Sequence, residues 1–358
     1  MPALDERALG DLQALLPVLL RSMEGLGFLA RHFHPPSFQT VLQAVGAPDE
    51  ELGRLRPCLD AWPEDLAAVR ECLAGAADLT LEGYAALRAA SAEPDGMRSV
   101  YRALGRLPRA QEALYPLAAN LPPVSRFFLG PDKRGDEAVL TSLAQAGQRD
   151  DAGVFHVDNE PGTRGGFSVY VPETVADKPM PVVMALHGGA GNGRSFLWTW
   201  VRDARGHGAI VISPTAIGDT WALMGDDVDT PNLMHALDQV AERWPVDRSR
   251  LLLTGMSDGG TFSYVSGLTA DSAFTHLAPI SAAFHPMLAA MSGRERLKDL
   301  PIQITHGRLD WMFSFAMARE ARDALAAAGA AVTYRELPDL SHTYPREVNA
   351  ELLEWLAR

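Results

Sequence analysis

The sequence has few of the residues on which several classes of protein depend. Only two of its 358 residues are cysteines, so a disulfide framework is excluded. We interpret both, Cys58 and Cys72, as small core residues of a protein in a reducing compartment. Basic residues number 32 against 45 acidic ones, and the net charge of -13 argues against a nucleic-acid partner.

Long apolar runs are also missing. No uninterrupted stretch of about 18 apolar residues occurs, which predicts that no segment spans a membrane. Acidic Asp5, Glu6 and Asp11 precede the short apolar run at 15–20, where a signal peptide would have a basic start. We therefore expect a cytoplasmic protein.

A hydrophobic fraction of 47% over this length predicts two domains with substantial cores. Residues 1–150 lack strand alternation and carry apolar residues at helical spacing, interrupted by prolines. This pattern predicts an all-α N-terminal domain of five to seven short helices. Its role stays open between a lid, an oligomerisation element that would make a homo-oligomer, and a docking surface.

Residues 151–358 alternate between strand-like and helix-like patterns, which predicts a mostly parallel sheet covered by helices on both faces. The segment 166–171 alternates with period two, as a half-exposed edge strand does. Buried strands are predicted at 181–186, 209–213, 250–254, 276–282, 301–305 and 331–337. Helices are predicted near 195–205, 232–244, 258–268, 314–329 and 346–357.

The most informative motif is G-M-S-D-G-G at residues 255–260, which directly follows an apolar run. A serine on a strained strand-to-helix turn needs Gly255 and Gly259, because neighbouring backbone must approach without a Cβ clash. Such a turn places the Ser257 hydroxyl at a helix N-terminus, where peptide dipoles favour negative charge. Taken alone, the same string fits a helix cap equally well.

A serine nucleophile needs a base and an acid that orients the base. Asp310 follows the predicted strand 301–305, and His342 follows the predicted strand 331–337. Ligand sites of open α/β sheets lie at these carboxyl ends, so we expect Ser257, Asp310 and His342 to form a catalytic triad. Asp339 is the rival acid, but a position three residues from the histidine does not bring its carboxylate to the correct ring nitrogen.

An acyl-transfer site also needs two N–H donors for an oxyanion. The strand 181–186 ends in H-G-G-A-G-N-G at residues 187–193, a turn that can direct backbone N–H groups at one point. We assign one donor to Gly189, with Ala190 as the next choice, and the other to the backbone of Asp258. His187 is expected to fix this turn.

Taken together, these motifs make the stretch from about 155 to 358 resemble an α/β-hydrolase of the esterase kind. It is similar to the group containing phospholipase/carboxylesterase, dienelactone-hydrolase-like and polyhydroxybutyrate-depolymerase-like enzymes. The resemblance is carried by L-H-G-G at 186–189, G-M-S-D-G at 255–259, H-G-R-L-D at 306–310 and S-H at 341–342. A serine nucleophile fits the cysteine-based lactone hydrolases less well, and about the first 150 residues have no counterpart in that group.

The resulting expectation is a serine esterase acting on a small-molecule ester, with no cofactor. No metal is expected either: His32 and His34 lack a third ligand, and we interpret Asp226, Asp227 and Asp229 as a solvated acidic loop. Two alternatives stay open, a serine peptidase or thioesterase on the same fold and a non-catalytic binding protein.

The substrate pocket is harder to read. Trp221, Phe284 and Trp311 follow predicted strand ends and could line an apolar cleft. Packing of the loops onto the core explains them equally well.

Overall fold

The computed structural model describes residues 5–91, 96–147, 149–174 and 178–358. The chain divides into two compact units, Met1–Leu129 and Gly130–Arg358. The domain boundary predicted near residue 150 therefore falls one helix later than the division between the units, because the helix Glu137–Ala146 belongs to the second unit.

The N-terminal unit consists of helices joined by turns, and its described residues include no strand. Its helices are α1 (Glu6–Arg31), α2 (Phe38–Val45), α3 (Pro48–Leu55), α4 (Ala67–Ala90), α5 (Met97–Leu104), α6 (Arg106–Leu114) and α7 (Pro122–Phe127). Short 3₁₀ turns connect several of them. The expectation of short helices is wrong for α1 and α4, which have 26 and 24 residues.

Asp5 caps the N-terminus of helix α1, and its carboxylate accepts a hydrogen bond of 2.7 Å from the backbone N–H of Ala8. By length and composition alone α1 could cross a membrane, although it also contains charged residues. Ten of its residues, among them Leu15, Leu19 and Leu26, are buried against the rest of the helical unit. That arrangement is the one of a core helix.

The two cysteines lie in this unit as free thiols. Both Cys58 and Cys72 are half-buried, so they are not the core residues that their type suggested. Burial raises the pKa of each thiol, which favours the protonated form.

The second unit is built on an eight-stranded sheet. Its strands are β1 (Gly153–Val157), β2 (Phe167–Val171), β3 (Met180–Leu186), β4 (Ile210–Pro214), β5 (Val246–Met256), β6 (His276–Ile280), β7 (Pro301–Gly307) and β8 (Ala331–Leu337). They lie in the order β1-β2-β4-β3-β5-β6-β7-β8. β3 to β8 are parallel, whereas β2 pairs antiparallel with both β4 and β1. The expected mostly parallel sheet is thus confirmed.

The prediction that β2 is a half-exposed edge strand is wrong. All five of its residues are buried, and β1, which the sequence pattern did not reveal, forms the edge. The polar positions of β2 find partners inside the fold. The hydroxyl of Ser168 lies 2.7 Å from Nδ1 of His156 on β1, and the Tyr170 hydroxyl donates to Glu173 at 2.8 Å.

The helices of this unit are α8 (Glu137–Ala146), α9 (Gly193–Phe196), α10 (Val201–His207), α11 (Asp229–Arg243), α12 (Asp258–Gly267), α13 (Met287–Met291), α14 (Arg294–Leu297), α15 (Phe315–Ala327) and α16 (Asn349–Leu356). Alternate strand residues such as Met184 and Leu253 pack against α11, α12 and α15. The intervening ones, including Val183 and Leu252, are buried towards the layer of α10 and α16. Because these strands run parallel, the carboxyl ends of β3, β5, β7 and β8 lie at one edge of the sheet.

Candidate active site

Ser257 lies between β5 and α12 in a strained conformation, with φ of 57°. A Cβ on Gly255 would lie 2.5 Å from the backbone carbonyl carbon of Gly259. A Cβ on Gly259 would collide with the carbonyl oxygen of His187. The backbone N–H of Ser257 donates to the carbonyl of Ile280 on β6 at 3.0 Å, which holds the turn from its other side. Both glycines are therefore required by close backbone approach, as the motif indicated.

The loops after β7 and β8 bring two further side chains to this turn. Nε2 of His342 lies 3.0 Å from Oγ of Ser257, and Nδ1 of His342 lies 2.9 Å from Oδ2 of Asp310. Ser257 is 8% exposed and His342 is 4% exposed, so the two hydrogen bonds are shielded from water. The structure thus brings together three residues that are separated by 85 and 32 positions along the chain.

Four donors hold the carboxylate of Asp310. Oδ1 accepts from the backbone N–H groups of Met312 at 2.9 Å and Phe313 at 2.8 Å, and Oδ2 lies between the rings of His342 and His306. Burial opposes ionisation, but the hydrogen bonds from His306 and His342 outweigh it and hold the pKa of Asp310 well below its usual range. The carboxylate is therefore an anion wherever His342 is expected to work.

The turn after β3 lies directly beside the serine. A Cβ on Gly188 would lie 3.6 Å from that of Ser257, and a Cβ on Gly189 would lie 2.6 Å from Oδ2 of Asp258. Ala190 has a left-handed backbone with φ of 56°, and the N–H of Gly191 closes the turn on the carbonyl of Gly188 at 3.0 Å. This narrow loop therefore runs beside Asp258, the first residue of α12. An oxyanion site needs the backbone N–H groups of two such neighbouring segments.

His187 fixes this turn from inside the fold. Nδ1 of its ring donates to the carbonyl of Gly188 at 2.7 Å, and Nε2 accepts from the backbone N–H of Ala216 at 3.1 Å. Burial lowers the pKa of His187 to about 4, so the ring is neutral and this tautomer is maintained. Its backbone carbonyl accepts from Nε1 of Trp221 at 2.7 Å.

In the loop after β4, segment 217–222 is tied to its neighbours by several hydrogen bonds. Thr220 donates to Oδ2 of Asp258 at 2.6 Å, and Arg164 donates to the carbonyls of Gly191, at 2.8 Å, and Gly218. Asp229 is 1% exposed and accepts from the backbone N–H groups at both ends of the segment 217–222, at 2.9 and 2.7 Å. The interpretation of Asp229 as a solvated acid is therefore wrong, whereas Asp226 and Asp227 are exposed. Neither Arg164 nor this role of Asp229 was recognised from the sequence, because both act on backbone atoms.

The three candidate pocket residues differ in their surroundings. Trp221 is 2% exposed and stacks on Phe262 with a centroid distance of 5.4 Å, and Phe284 is 7% exposed and packs against Tyr264 at 4.9 Å. Both belong to the buried core cluster of the sheet. Trp311, by contrast, is 39% exposed.

Two aromatic rings lie next to the candidate base. The centroid of Trp311 is 6.2 Å from that of His342, and the ring of Phe313 is closer, at 5.4 Å. Phe313 was not singled out from the sequence, although it follows Trp311 in the same loop. Of the three pocket candidates, Trp311 is thus the one that offers exposed aromatic surface beside His342.

The loop that carries His342 is anchored at its far end. The hydroxyl of Tyr344 donates to Oδ1 of Asn349 at 2.8 Å. The Asn349 amide donates to the carbonyl of Thr199 at 2.8 Å and to Oδ2 of Asp203 at 3.1 Å. Burial raises the pKa of Asp203 to about 6 despite this hydrogen bond, so Asp203 holds its proton more tightly than an exposed aspartate does.

The strand order, the strained serine turn and the placement of the loops at the carboxyl edge of the sheet are those of the α/β-hydrolase fold. Residues 226–357 match the model of the Phospholipase/Carboxylesterase family. The matched region contains Ser257, Asp310 and His342. Gly189 and Trp221 lie outside the matched residues.

Individual known proteins are similar over a comparable part of the chain. A bifunctional acetylxylan esterase/xylanase of Neocallimastix patriciarum is 26% identical over 207 residues, which are 55% of this chain and 29% of that protein. The chain thus matches less than a third of the length of this relative.

Solved structures are similar at lower identity. A fluorophosphonate-binding serine hydrolase of Staphylococcus aureus is 18% identical, covering 57% of this chain and 97% of its own, with a TM-score of 0.47. An S-formylglutathione hydrolase of the same organism is 18% identical, covering 57% of this chain and 98% of its own, with a TM-score of 0.46.

Proposed function

We propose that the protein is a serine esterase that cleaves carboxylic esters through an acyl-enzyme on Ser257. His342 is the general base and then the general acid, and Asp310 orients its ring. The backbone N–H groups of Asp258 and Gly189 stabilise the tetrahedral oxyanion. The observation that carries the proposal is the continuous chain of two hydrogen bonds, 3.0 and 2.9 Å long, from Ser257 through His342 to Asp310.

The geometry supports each step of acyl transfer. Nδ1–H of His342 donates to Asp310, which leaves the lone pair of Nε2 directed at the Ser257 hydroxyl. As Oγ attacks the ester carbonyl, its proton passes to Nε2, and the ionised Asp310 stabilises the imidazolium that forms. The imidazolium then protonates the leaving alkoxide.

Deacylation repeats the sequence with water. His342 takes a proton from the water molecule, the hydroxide attacks the acyl carbonyl, and the acid is released as Ser257 regains its proton. The oxyanion donors serve in both halves of the reaction, and the loss of one such donor typically costs about 100- to 1000-fold in kcat.

The decisive experiment combines a fluorophosphonate probe with ester hydrolysis. The wild-type protein is expected to be labelled on Ser257 and to hydrolyse a short-chain aryl ester, while Ser257→Ala is neither labelled nor active. Ser249→Ala is the matched control, because Ser249 lies exposed on β5, the strand that leads to the same turn. A Ser257→Ala variant that keeps the esterase rate would refute the proposal.

The same purified protein distinguishes the neighbouring activities. A panel of esters, thioesters and amides with matched acyl groups is expected to give the highest kcat/KM for the esters. A higher value for the amides would make the protein a peptidase, and a higher value for the thioesters would make it a thioesterase. An unlabelled, inactive wild-type protein would favour a binding role.

A further inference from the structure

A second histidine lies against the candidate acid, and the mechanism above does not use it. His306 is the sixth residue of β7 and is fully buried. Its Nε2 lies 3.0 Å from the carbonyl oxygen of Phe313 and 3.3 Å from Oδ2 of Asp310. The ring therefore touches both ends of the short loop that presents Asp310 to His342.

The partners of His306 define which of its nitrogens carries hydrogen. Nε2 faces a carbonyl and a carboxylate, which are both acceptors, so Nε2 carries the hydrogen and donates. Nδ1 is buried and has no hydrogen-bond partner among the residues that the structure describes. A hydrogen on Nδ1 would be a buried donor without an acceptor, so the geometry favours the Nε2–H tautomer.

Oδ2 of Asp310 consequently accepts from two imidazoles, while Oδ1 is held by the two backbone N–H groups of the same loop. Nε2–H of His306 contacts the same Oδ2 that accepts from His342, so the negative charge of Oδ2 is shared between the two rings. It also closes the loop through Phe313, whose ring packs on His342. Among the described residues, the imidazoles of His306 and His342 are the titratable side chains bonded to Asp310, since neighbouring Arg308 pairs with Glu336.

We propose that His306 is a positioning residue, whose Nε2–H holds the Asp310 carboxylate in line with His342 and moderates the hydrogen bond between them. The proposal rests on the proposed esterase function. Loss of the donor leaves Asp310 free to turn and concentrates its charge on the bond to His342, which stabilises the imidazolium in the free enzyme. The rate then falls, and the acidic limb of the pH profile moves to higher pH.

Two substitutions of similar length separate the donor from the volume. His306→Gln can place an amide N–H near the position of Nε2, whereas His306→Met fills similar space without a donor. For His306→Met we expect kcat to fall by about tenfold, and the acidic limb of kcat/KM to rise by about 0.5 pH unit. For His306→Gln we expect both parameters to stay near the wild type. Thermal unfolding of each variant reports any general loss of structure, which would not move the limb.

The proposal is overturned if the folded His306→Met variant has the same acidic limb in its kcat/KM profile as the wild type. It is also overturned if the acidic limb moves by the same amount in the His306→Gln and His306→Met variants. Should the Met variant not fold, long-range ¹H–¹⁵N spectra of the wild-type protein decide. The Nε2–H tautomer of His306 is expected, and an Nδ1–H tautomer contradicts the proposal. Labelling of wild-type Ser257 by the fluorophosphonate probe distinguishes the two proposals. If Ser257 is not labelled, the esterase proposal fails. If Ser257 is labelled, the role of His306 can still fail in the experiments on its variants.

Discussion

Replacement of Asp310 by asparagine tests the orientation of the candidate base most directly. The aspartate carboxylate has two acceptor oxygens, whereas the asparagine amide has one acceptor oxygen and one NH₂ donor. Its oxygen is expected to face the backbone N–H groups of Met312 and Phe313, which now bond Oδ1 at 2.9 and 2.8 Å. The NH₂ group then faces Nδ1 of His342, where the acceptor Oδ2 was.

Two donors cannot share that position, so the ring of His342 changes to the Nε2–H tautomer. Its Nε2 then has no lone pair for the proton of Ser257, 3.0 Å away. A loss of about 10⁴ in kcat is the magnitude expected for a base held in the wrong tautomer, equivalent to about 5 kcal/mol in the barrier. Binding of the ester, and hence KM, should change far less.

The assay is the pre-steady-state release of the alcohol from an aryl ester, which reports acylation of Ser257, together with the unfolding transition of each variant. Asp339→Asn is the matched comparison, because Asp339 was the rival acid and lies three residues from His342. We expect Asp339→Asn to keep most of the rate. The reasoning fails if Asp339→Asn is the damaging change, or if folded Asp310→Asn keeps a tenth of the wild-type rate.

Three further predictions concern stability and binding. Gly259→Ala should lower the free energy of unfolding by about 3 kcal/mol through its backbone collision, whereas Gly293→Ala, where no atom lies within 4 Å of the new Cβ, should be neutral in thermal melts. Because the folded pKa of Asp203, about 6, exceeds the usual aspartate value of 3.8, its contribution to stability is present below pH 3.8 and is lost as pH rises through 6. Asp203→Asn should therefore gain about 3 kcal/mol relative to wild type between pH 3 and pH 8 in denaturant titrations, and a constant difference would contradict this assignment. Trp311→Ala should raise KM for an aryl ester several-fold with little change in kcat, since the ring lies 6.2 Å from His342 and is 39% exposed; an unchanged KM would remove it from the pocket.

Local chemistry made the serine turn predictable. The requirement for Gly255 and Gly259 follows from sterics alone, and the collisions found at both positions agree with it. The parallel strands were likewise readable, because continuous apolar runs bounded by turns have few other interpretations. The observed strands β3 to β8 therefore lie within a few residues of the predicted ones.

Relations between distant segments were not readable in the same way. The alternation of β2 shows which residues share a face, but not that His156 of β1 supplies a partner for Ser168 and buries the polar side. Trp221 and Phe284 follow strand ends, as pocket residues do. Their position after a strand does not show that both rings are buried in the core cluster, where each packs against another aromatic ring. The contact of His306 with Asp310 depends on the curl of a loop, which spacing alone does not define.

The hydrogen bonds of segment 217–222 hold it in one conformation, so we expect it to be rigid. In the proposed esterase, the side of the site next to Asp258 would therefore be a fixed surface, because Thr220 bonds the Asp258 carboxylate. Adaptable surface lies instead in α13 and in the loop after β7, where Met287, Met291 and Met312 are exposed on flexible side chains. For the proposed esterase, directed evolution towards bulkier esters would therefore gain more from libraries at these methionines than from changes in segment 217–222.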